Sequence, residues 1–313
     1  MAVPRFRAPP ELMELRVPTA SPSEMLVRVG FAGINPLDWK VSEGFYDGSR
    51  PHVFPLILGV DGAGTVEFAG TDIARFRVGD RIFGQFLHSP VGTGTYTEFT
   101  TVPEGIGVAR VPDGMTMENA SALPTAGMTA LSCLDALALG TGSSLVIVGA
   151  SGGVGSFATE IAASQGIKVT AVARSSSAAR LRSLGAEEVI DASSEDERAS
   201  VAAVHPSGVD GLLDVKSDRA GFTSWMSVVR HGGAAVITTH SADPEALARA
   251  GLRGGNVDLD PTAELLERLA RAVMDRGLRV PLERQIRLGD AAQALADLKA
   301  GRGSGKTVID VSS

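Results

Sequence analysis

The fold is decided by residues 144–177, which read SLVIVGASGGVGSFATEIAASQGIKVTAVARSSS. A short apolar run enters a glycine-rich turn, and a helical stretch and a second apolar run follow it. Tight glycine turns let the backbone approach a pyrophosphate group, and the N-terminus of the next helix presents free N–H groups to it. The order strand, turn, helix, strand therefore predicts a βαβ unit that binds a dinucleotide.

The turn follows the spacing A-x-G-x-x-G, with alanine where the dinucleotide fingerprint usually has its first glycine. The residues that we expect to contact the cofactor here are Ala150, Ser151, Gly152, Gly153, Val154 and Gly155. The alternative is a turn that only packs the helix against the strand. The apolar strands before and after the turn favour the cofactor interpretation.

The end of the second strand indicates which cofactor binds. Sites for NAD usually carry Asp or Glu about 20 residues after the turn, where the carboxylate binds the ribose 2′-hydroxyl. Here that place is taken by Arg174, followed by Ser175 and, one helical turn on, by Arg180. Guanidinium and hydroxyl groups suit a 2′-phosphate through charge-assisted hydrogen bonds. We therefore predict NADPH; the alternative is that Arg174 is a solvated loop charge.

The pattern of apolar residues changes along the chain. Up to about residue 110 there are short runs bounded by Gly, Asp or Pro, among them residues 95–102, and these are typical of β-strands and turns. From about residue 117, short apolar runs alternate with helical stretches, which is typical of a parallel sheet in an α/β fold. Asp260-Pro261 predicts a helix N-cap, and Asp290 with Gln293 predicts a capping box.

Composition excludes several classes of partner. The 313 residues carry 29 Lys and Arg against 36 Asp and Glu, a net charge of -7, so we expect no nucleic-acid or membrane-surface partner. The single cysteine, Cys133, excludes an internal disulfide and a multi-cysteine metal site. No run approaches the roughly 20 apolar residues of a membrane span, and no signal-peptide pattern is present. A soluble, cytoplasmic protein is expected.

A nucleophile elbow is an alternative interpretation of the same turn. Residues 149–153 also fit G-x-S-x-G, and Asp214 followed by His231 or His240 would complete the chain order of an α/β-hydrolase. The glycine pattern continues to Gly155, which favours the dinucleotide interpretation. A Walker-like run at residues 301–307 is rejected, because a phosphate loop needs a helix after it and a strand follows here.

Ordered segments along nearly the whole chain carry a family resemblance. They are INPLDWKVSEG (34–44), PLILGVDGAGTV (55–66), RFRVGDRIFG (75–84), GTYTEFTTV (94–102), ALPTAGMTAL (122–131), LGAEEVID (184–191) and GRGSGKTVIDV (301–311). Together they resemble the zinc-independent medium-chain dehydrogenase/reductase family, especially its quinone oxidoreductase-like members. The resemblance implies a GroES-like β-rich domain plus a Rossmann-type domain with a doubly wound parallel sheet. The expected limits are 1–120 for the first part of the catalytic domain, 121–260 for the NADP-binding domain, and 261–313 for the segment that returns to the first.

The resemblance also implies roles for single residues. Asn35 and Thr129 are expected near the nicotinamide, and Lys306 is expected to approach the cofactor from the returning segment. Tyr46 is expected on the substrate side, where its phenol can donate a proton or a hydrogen bond; the alternative is an aromatic residue in a mobile loop. Tyr46 and Asn35 are the candidate catalytic residues.

The zinc ligands of related enzymes are replaced in this sequence. Zinc-dependent relatives use Cys, His and Cys or a carboxylate, whereas this chain has Asn35–Asp38 and Gly59-Val60-Asp61 at the corresponding places, and it has no cysteine cluster. We therefore expect no metal ion. Ala192, where relatives often carry Tyr beside the adenosine phosphate, is a further departure.

The chemistry expected from these features is hydride transfer to an activated acceptor. Without a metal ion to polarise a carbonyl group, a quinone or an α,β-unsaturated carbonyl compound is the acceptor that needs least help. A 2-enoyl thioester is the alternative substrate, and an NADPH-binding redox sensor or scaffold with little catalysis is the alternative of another class. The expected partners are small molecules; family members are often dimers, so the resemblance also allows a homodimer.

Overall fold

The computed structural model describes residues 1–193 and 196–312. These residues group into two compact units, which we call the β-rich unit (residues 1–125, 261–274 and 282–313) and the parallel-sheet unit (126–260 and 275–281). The domain limits expected after residues 120 and 260 stay predictions. The structure places residues 275–281 in the parallel-sheet unit, where the Arg279 backbone N–H donates to the Glu160 carboxylate over 3.0 Å.

The first 125 residues form mostly short strands. The strands are β1 (Ala2–Val3), β2 (Glu24–Gly33), β3 (His52–Ile57), β4 (Asp61–Ala69), β5 (Arg81–Gln85), β6 (Val91–Thr93), β7 (Phe99–Pro103) and β8 (Val108–Arg110), with helices α1 (Pro36–Ser42) and α2 (Met117–Ala122). Helix α3 (Pro124–Leu137) begins at the proline that interrupts the apolar stretch after residue 117. Proline is tolerated there because a first-turn N–H needs no helical acceptor.

The central part of the chain alternates between strands and helices. Its elements are β9 (Ser144–Val148), α4 (Gly153–Ser164), β10 (Lys168–Ala173), α5 (Ala178–Ser183), β11 (Glu188–Asp191), α6 (Glu197–Val204), β12 (Val209–Asp214), α7 (Arg219–Trp225), β13 (Val229–Ile237), α8 (Pro244–Arg249) and β14 (Arg253–Asn256). The strands pair in parallel in the order β11-β10-β9-β12-β13-β14. This is the strand order of the doubly wound dinucleotide-binding fold, and its switch point lies between β9 and β12.

The last part of the chain completes the β-rich unit. Its elements are α9 (Ala263–Arg276), β15 (Leu282–Arg287), α10 (Ala291–Lys299) and β16 (Lys306–Asp310). Strand β16 pairs antiparallel with β2. The sheet has the strand order β15-β16-β2-β4-β5-β8, and β7 also pairs with β2. The final strand therefore lies beside one of the first. None of the helices in the described residues is long and apolar enough to cross a membrane.

Hydrophobic burial explains why the central strands read as continuous apolar runs. Strand β9 buries Leu145 to Val148 almost completely, as expected where a parallel sheet is covered on both faces. The core behind β12 and β13 adds Phe222 and Trp225, which are 1% and 2% exposed. Fully burying one such side chain contributes on the order of 2 kcal/mol, and packing of this kind holds the carboxyl edge of the sheet in register.

Three local predictions were wrong. The strand expected over residues 95–102 begins only at Phe99. Helix α9 is capped by Thr262, whose hydroxyl accepts from the Leu265 N–H at 3.2 Å, and it does not begin at Asp260. Asp290 precedes α10 with helical backbone angles and no side-chain cap, because Gln293 donates instead to Asp297 at 3.0 Å.

Candidate cofactor turn and buried polar network

The glycine turn of the parallel-sheet unit leaves its backbone bare. Gly149 follows β9 with φ +81°, a conformation that favours glycine. A Cβ on Gly155 would lie 2.5 Å from the Gly149 carbonyl oxygen and 2.6 Å from the Ala150 Cα, so only glycine fits. Gly152 caps α4 with extended backbone, and Gly153 is its first residue. The first N–H groups of a 12-residue helix thus stand without a covering side chain, which fits a pyrophosphate.

Arg180 supports this turn from helix α5. Its Nη2 donates to the Ser151 carbonyl oxygen and its Nη1 to the Ser156 hydroxyl, both at 2.9 Å. The Ser156 hydroxyl in turn donates to the Ala150 carbonyl oxygen at 3.1 Å. The structure shows that Arg180 fixes the turn, and its expected contact with a 2′-phosphate stays a prediction. Ser156 was missed, because nothing in its spacing separates it from an ordinary helical serine.

Arg174 and Ser175 lie exposed at the end of β10, as a cofactor-selecting position requires. A carboxylate that the sequence argument missed stands next to them: Asp191 ends the neighbouring strand β11, level with Ala173. Hydrogen bonds from the backbone and hydroxyl of Ser193, and from Ser175, hold the pKa of Asp191 below its usual value. The Ser175 hydroxyl is therefore shared with a negative charge, and the 2′-phosphate contacts expected for Arg174 and Ser175 stay predictions.

The remaining cofactor candidates are spread over two helices. Val154 is half-buried in the first turn of α4, and Thr129 lies in α3 with 8% of its surface exposed. The structure thus brings Ala150 to Gly155 together in one turn and puts Thr129 on a separate element of the same unit. Thr129 as a nicotinamide contact stays a prediction.

The structure does not assemble the hydrolase constellation. Asp214 ends β12 fully buried, and its Oδ1 accepts from the backbone N–H groups of Lys216 and Ser217, each at 2.9 Å. His240 pairs with Asp258 at 3.1 Å, and His231 lies near the opposite end of β13. Asp214 is thus bonded within its own loop, and His240 pairs with a carboxylate from the segment after β14. The dinucleotide interpretation of the turn is the one the geometry fits.

Lys306 is the centre of a buried network in the β-rich unit. The side chain is 2% exposed, and its ammonium donates to the Asn35 Oδ1 at 2.6 Å, the Ile34 carbonyl oxygen at 3.0 Å and the Asp61 Oδ2 at 3.3 Å. These acceptors use all three N–H donors of an ammonium group. The contact of Lys306 with a cofactor stays a prediction. Within the chain, Lys306 positions Asn35.

Asn35 and Asp61 are fixed by the same network. The Asn35 amide donates to the Asp61 Oδ2 at 2.8 Å, and Asn35 is only 2% exposed. Asp61 is fully buried and also accepts from the backbone N–H of Thr125 at 3.0 Å and from its hydroxyl at 2.6 Å. A buried carboxylate is tolerated when cationic and N–H donors surround it. The direct catalytic role expected for Asn35 stays a prediction, and Thr125 was missed.

Asp38 forms a second buried carboxyl site beside the first. It accepts from the Asn35 N–H at 2.7 Å, the Tyr96 hydroxyl at 2.8 Å and the Val60 N–H at 2.9 Å. Burial raises the pKa of Asp38 to about 7, outweighing these donors and the charge of Lys306. Burial and the Asp38 charge raise the pKa of Tyr96 well above its usual value, so the phenol stays protonated and donates. Tyr96 was not predicted as a site residue, although it lies in one of the family-like segments.

Tyr46 lies after helix α1 in a short aromatic segment. The guanidinium of Arg50 lies 4.5 Å from the centre of the Tyr46 ring, and the Phe45 ring meets it edge-on at 4.9 Å. Backbone N–H groups of Ser49 and Arg50 both donate to the Tyr46 carbonyl oxygen at 3.1 Å. These contacts hold the half-buried ring in place. Its role as donor to a substrate stays a prediction.

Comparison with known proteins identifies the family. The family model for the alcohol dehydrogenase GroES-like domain matches residues 21–113, and the one for zinc-binding dehydrogenases matches residues 184–309. A solved structure of an alcohol dehydrogenase superfamily protein from Novosphingobium aromaticivorans is 30% identical, with a TM-score of 0.83 over 99% of this chain and 98% of that one. This chain belongs to the medium-chain dehydrogenase/reductase family. The expected fold class, a GroES-like domain plus a Rossmann-type sheet, is confirmed.

Relatives of this medium-chain dehydrogenase/reductase carry quinone oxidoreductase names. A chloroplast quinone-oxidoreductase homolog from Spinacia oleracea is 35% identical over 185 residues, which are 57% of this chain and 55% of that protein. The match thus spans about half the length of that curated relative. The structure of the quinone oxidoreductase from Coxiella burnetii is 26% identical, with a TM-score of 0.86 over 99% of this chain and 98% of that one.

The donor groups of this family member do not fit the zinc ion that one family description implies. At the positions of the zinc ligands, the Asp61 carboxylate already accepts hydrogen bonds from Lys306 and Thr125. The Asp38 carboxyl group accepts one from the Tyr96 hydroxyl. Burial raises the pKa of the Cys133 thiol to about 12, which disfavours a thiolate ligand. Across residues 1–193 and 196–312, no three His, Cys, Asp or Glu side chains gather as a metal site. No step of the chemistry is therefore assigned to zinc.

Replacing the buried ammonium should strongly destabilise this medium-chain dehydrogenase/reductase. We expect Lys306→Met to lower the free energy of unfolding by about 3–5 kcal/mol, because the Asp61 charge stays buried without its cation. Urea unfolding measures the change. The control is Lys299→Met, which removes an exposed ion pair with Glu43 and should cost about 0–1 kcal/mol. Equal losses in the two variants would contradict the assignment of Lys306.

The raised pKa of Asp38 should make stability fall as pH rises. The folded state binds the Asp38 proton up to about pH 7, whereas the unfolded chain releases it near the ordinary aspartate pKa of 3.8. The bound Asp38 proton therefore contributes its full amount to the free energy of unfolding below the unfolded-state pKa. As pH rises from there, this contribution declines by roughly 1.4 kcal/mol per pH unit until about pH 7.

The Asp38→Asn variant isolates this effect. Measured against the wild type, its free energy of unfolding should improve steadily between pH 5 and about 7 and stay level above that. Urea unfolding at several pH values provides the data, and Asp47→Asn, at an exposed carboxyl, is the control. A difference between Asp38→Asn and the wild type that does not change with pH would refute the raised pKa.

Proposed function

We propose that this protein is an NADPH-dependent reductase that transfers a hydride to a quinone or to an α,β-unsaturated carbonyl compound without a metal ion. The observation that carries the proposal is the bare glycine turn at the start of α4, followed by an exposed arginine in place of the acidic residue at the end of β10. Quinone oxidoreductases among the relatives support the class of acceptor.

Different residues of the parallel-sheet unit would bind different parts of the cofactor. The backbone of Gly152 to Gly155 and the N-terminus of α4 would bind the pyrophosphate. Arg180 keeps that backbone in shape through Ser151 and Ser156. Arg174 would pair with the 2′-phosphate, since a guanidinium binds phosphate oxygens through charge-assisted bonds. When bound, NADPH supplies the hydride.

The residues of the β-rich unit would act on the acceptor. The Tyr46 phenol would donate a hydrogen bond to an acceptor oxygen, which would stabilise negative charge as it develops there. Asn35 is held by Lys306, Asp61 and Asp38, so its amide cannot reorient without breaking buried hydrogen bonds. Such preorganisation lowers the barrier, because the polar groups need not rearrange during the reaction.

Cofactor preference tests the role of Arg174. Arg174→Ala should lower the ratio of kcat/KM for NADPH over NADH by about 10- to 150-fold, because a hydrogen bond to a charged group contributes about 1.5–3 kcal/mol. Steady-state kinetics with both cofactors measure the ratio. The control is Arg182→Ala, which removes an exposed arginine of the same helical region and should leave the ratio unchanged. An unaltered ratio in Arg174→Ala would remove the basis for NADPH.

A panel of acceptors tests the reaction itself. The wild type should oxidise NADPH in the presence of 1,4-naphthoquinone or an enal, and Tyr46→Phe should lower kcat by about 3- to 10-fold, the effect of one neutral hydrogen bond. Phe68→Leu, which changes an exposed ring of β4, is the control and should keep its kcat. Unchanged turnover in Tyr46→Phe would rule out the donor role.

The same panel separates the alternatives. Faster reaction with crotonyl-CoA than with quinones or enals would make the protein a 2-enoyl thioester reductase. Binding of NADPH in calorimetry without consumption by any acceptor would favour a redox sensor or scaffold. Absence of NADPH binding would refute the proposed function as a whole.

A further inference from the structure

The carboxyl edge of the parallel sheet carries a His–Asp pair that the cofactor turn does not use. Val148, Asp214 and Ile237 lie side by side in β9, β12 and β13, so the loops that follow them leave the sheet at one edge. Ligands of such sheets bind outside this edge, at the switch point. Gly149 begins the cofactor turn there, and His240 follows β13 at the same edge.

The loop that carries His240 is fixed on both sides. On the β12 side, the Thr238 N–H donates to the Asp214 carbonyl oxygen at 3.2 Å and the Thr239 hydroxyl to the Ser217 carbonyl oxygen at 2.7 Å. On the β14 side, the Ala242 N–H donates to the Asn256 Oδ1 at 2.9 Å. The loop geometry is thus determined by its neighbours and not by the histidine.

His240 itself adopts an unusual backbone conformation within this loop. Its φ is +57°, in the left-handed region that few residues other than glycine adopt. Strained positions persist when the surroundings impose them, and they cluster at functional sites. Here the strained backbone holds an imidazole whose Nε2 lies 3.1 Å from the Asp258 Oδ1, with 64% of the His240 side chain exposed. The ring is therefore paired with a carboxylate and still accessible to a ligand.

Charged groups on the segments that pack against this loop are Asp258 after β14, Lys216 beside Ser217 after β12, and Asp243 at the start of α8 with Arg219 at 3.9 Å. Asp258 is the charged group in direct contact with the imidazole. A carboxylate in that position orients the ring and stabilises an imidazolium.

We infer that His240, held by Asp258, is the proton donor of the reduction. The inference rests on the proposed function. Reduction of a quinone consumes NADPH and one proton and yields NADP⁺ and a hydroquinone: the hydride brings two electrons and one hydrogen, and an anionic oxygen remains. The His240 imidazolium gives its proton to that oxygen, and the neutral imidazole regains a proton from solvent.

The test compares two histidines that flank one strand. His240→Gln removes the donor at the carboxyl end of β13, and His231→Gln changes an exposed histidine near its amino end. With 1,4-naphthoquinone we expect His240→Gln to lower kcat by about 100-fold, within the range of a general acid, and added imidazole to restore part of it. Asp258→Asn should give a smaller loss, and His231→Gln none.

Two further readouts separate proton donation from a structural role. N-methylacridinium takes a hydride to become neutral and needs no proton, so its reduction should be equal in His240→Gln and the wild type. The dissociation constant of NADPH from calorimetry should also be equal. In NMR spectra of the imidazole nitrogens, adding NADP⁺ should shift the His240 signals, identified by their loss in His240→Gln, and leave those of His231 in place.

Other results would refute either the assignment of His240 or the proposed function. Naphthoquinone turnover of His240→Gln within about threefold of the wild type, below the range of a general acid, would refute the assignment. Parallel loss of NADPH binding and acridinium reduction would show that His240 only shapes the loop. A wild type that consumes no NADPH with any acceptor would instead refute the proposed function, which the first two outcomes leave intact.

Discussion

The β-rich unit depends on one buried ion pair. The Lys306 ammonium and the Asp61 carboxylate are 2% and 0% exposed, and their residues are 245 positions apart in the chain. Removing two charges from water costs several kcal/mol per ion, and the cost is offset only when hydrogen bonds satisfy every remaining donor and acceptor. Here Ile34, Asn35 and Thr125 supply those bonds. The pair thereby joins the last strand, the first helix and the start of α3, and it fixes Asn35 in the process.

The sequence predicted the fold well because the fold is built on local patterns. The run at 144–177 contains a complete βαβ unit, and its glycines are required by contacts within a few residues, such as Gly155 against Gly149 and Ala150. The buried network was only partly predictable. Asp38, Asp61 and Lys306 stood in family-like segments, yet the Lys306–Asp61 contact joins residues 245 positions apart, and no local spacing reveals it. Tyr96 and Thr125 were missed for the same reason, since each bonds a partner far away in the chain.

Charge placement at the end of β10 illustrates a second limit of local reasoning. Arg174, Ser175 and Arg180 are close in sequence and suggested one phosphate site. In the structure Arg180 turns to the glycine turn, and Asp191 arrives from the neighbouring strand to share Ser175. A parallel sheet brings together the ends of strands that are separated by whole helices, so the electrostatic character of such an edge belongs to several segments at once. The electrostatic character at the end of β10 is therefore set by Asp191 as well as by Arg174.

The position of Lys306 in the chain has a consequence for biosynthesis. A ribosome releases Asp61 and Asn35 long before it reaches Lys306, and domains fold largely in the order of their synthesis. During that interval the parallel-sheet unit has most of its residues, whereas the β-rich unit holds carboxylates whose counter-ion has not yet been translated. Until β16 emerges, a buried Asp61 would lack its counter-ion. Emergence of β16 is thus the step that lets β2 complete its native pairing in the sheet of the β-rich unit.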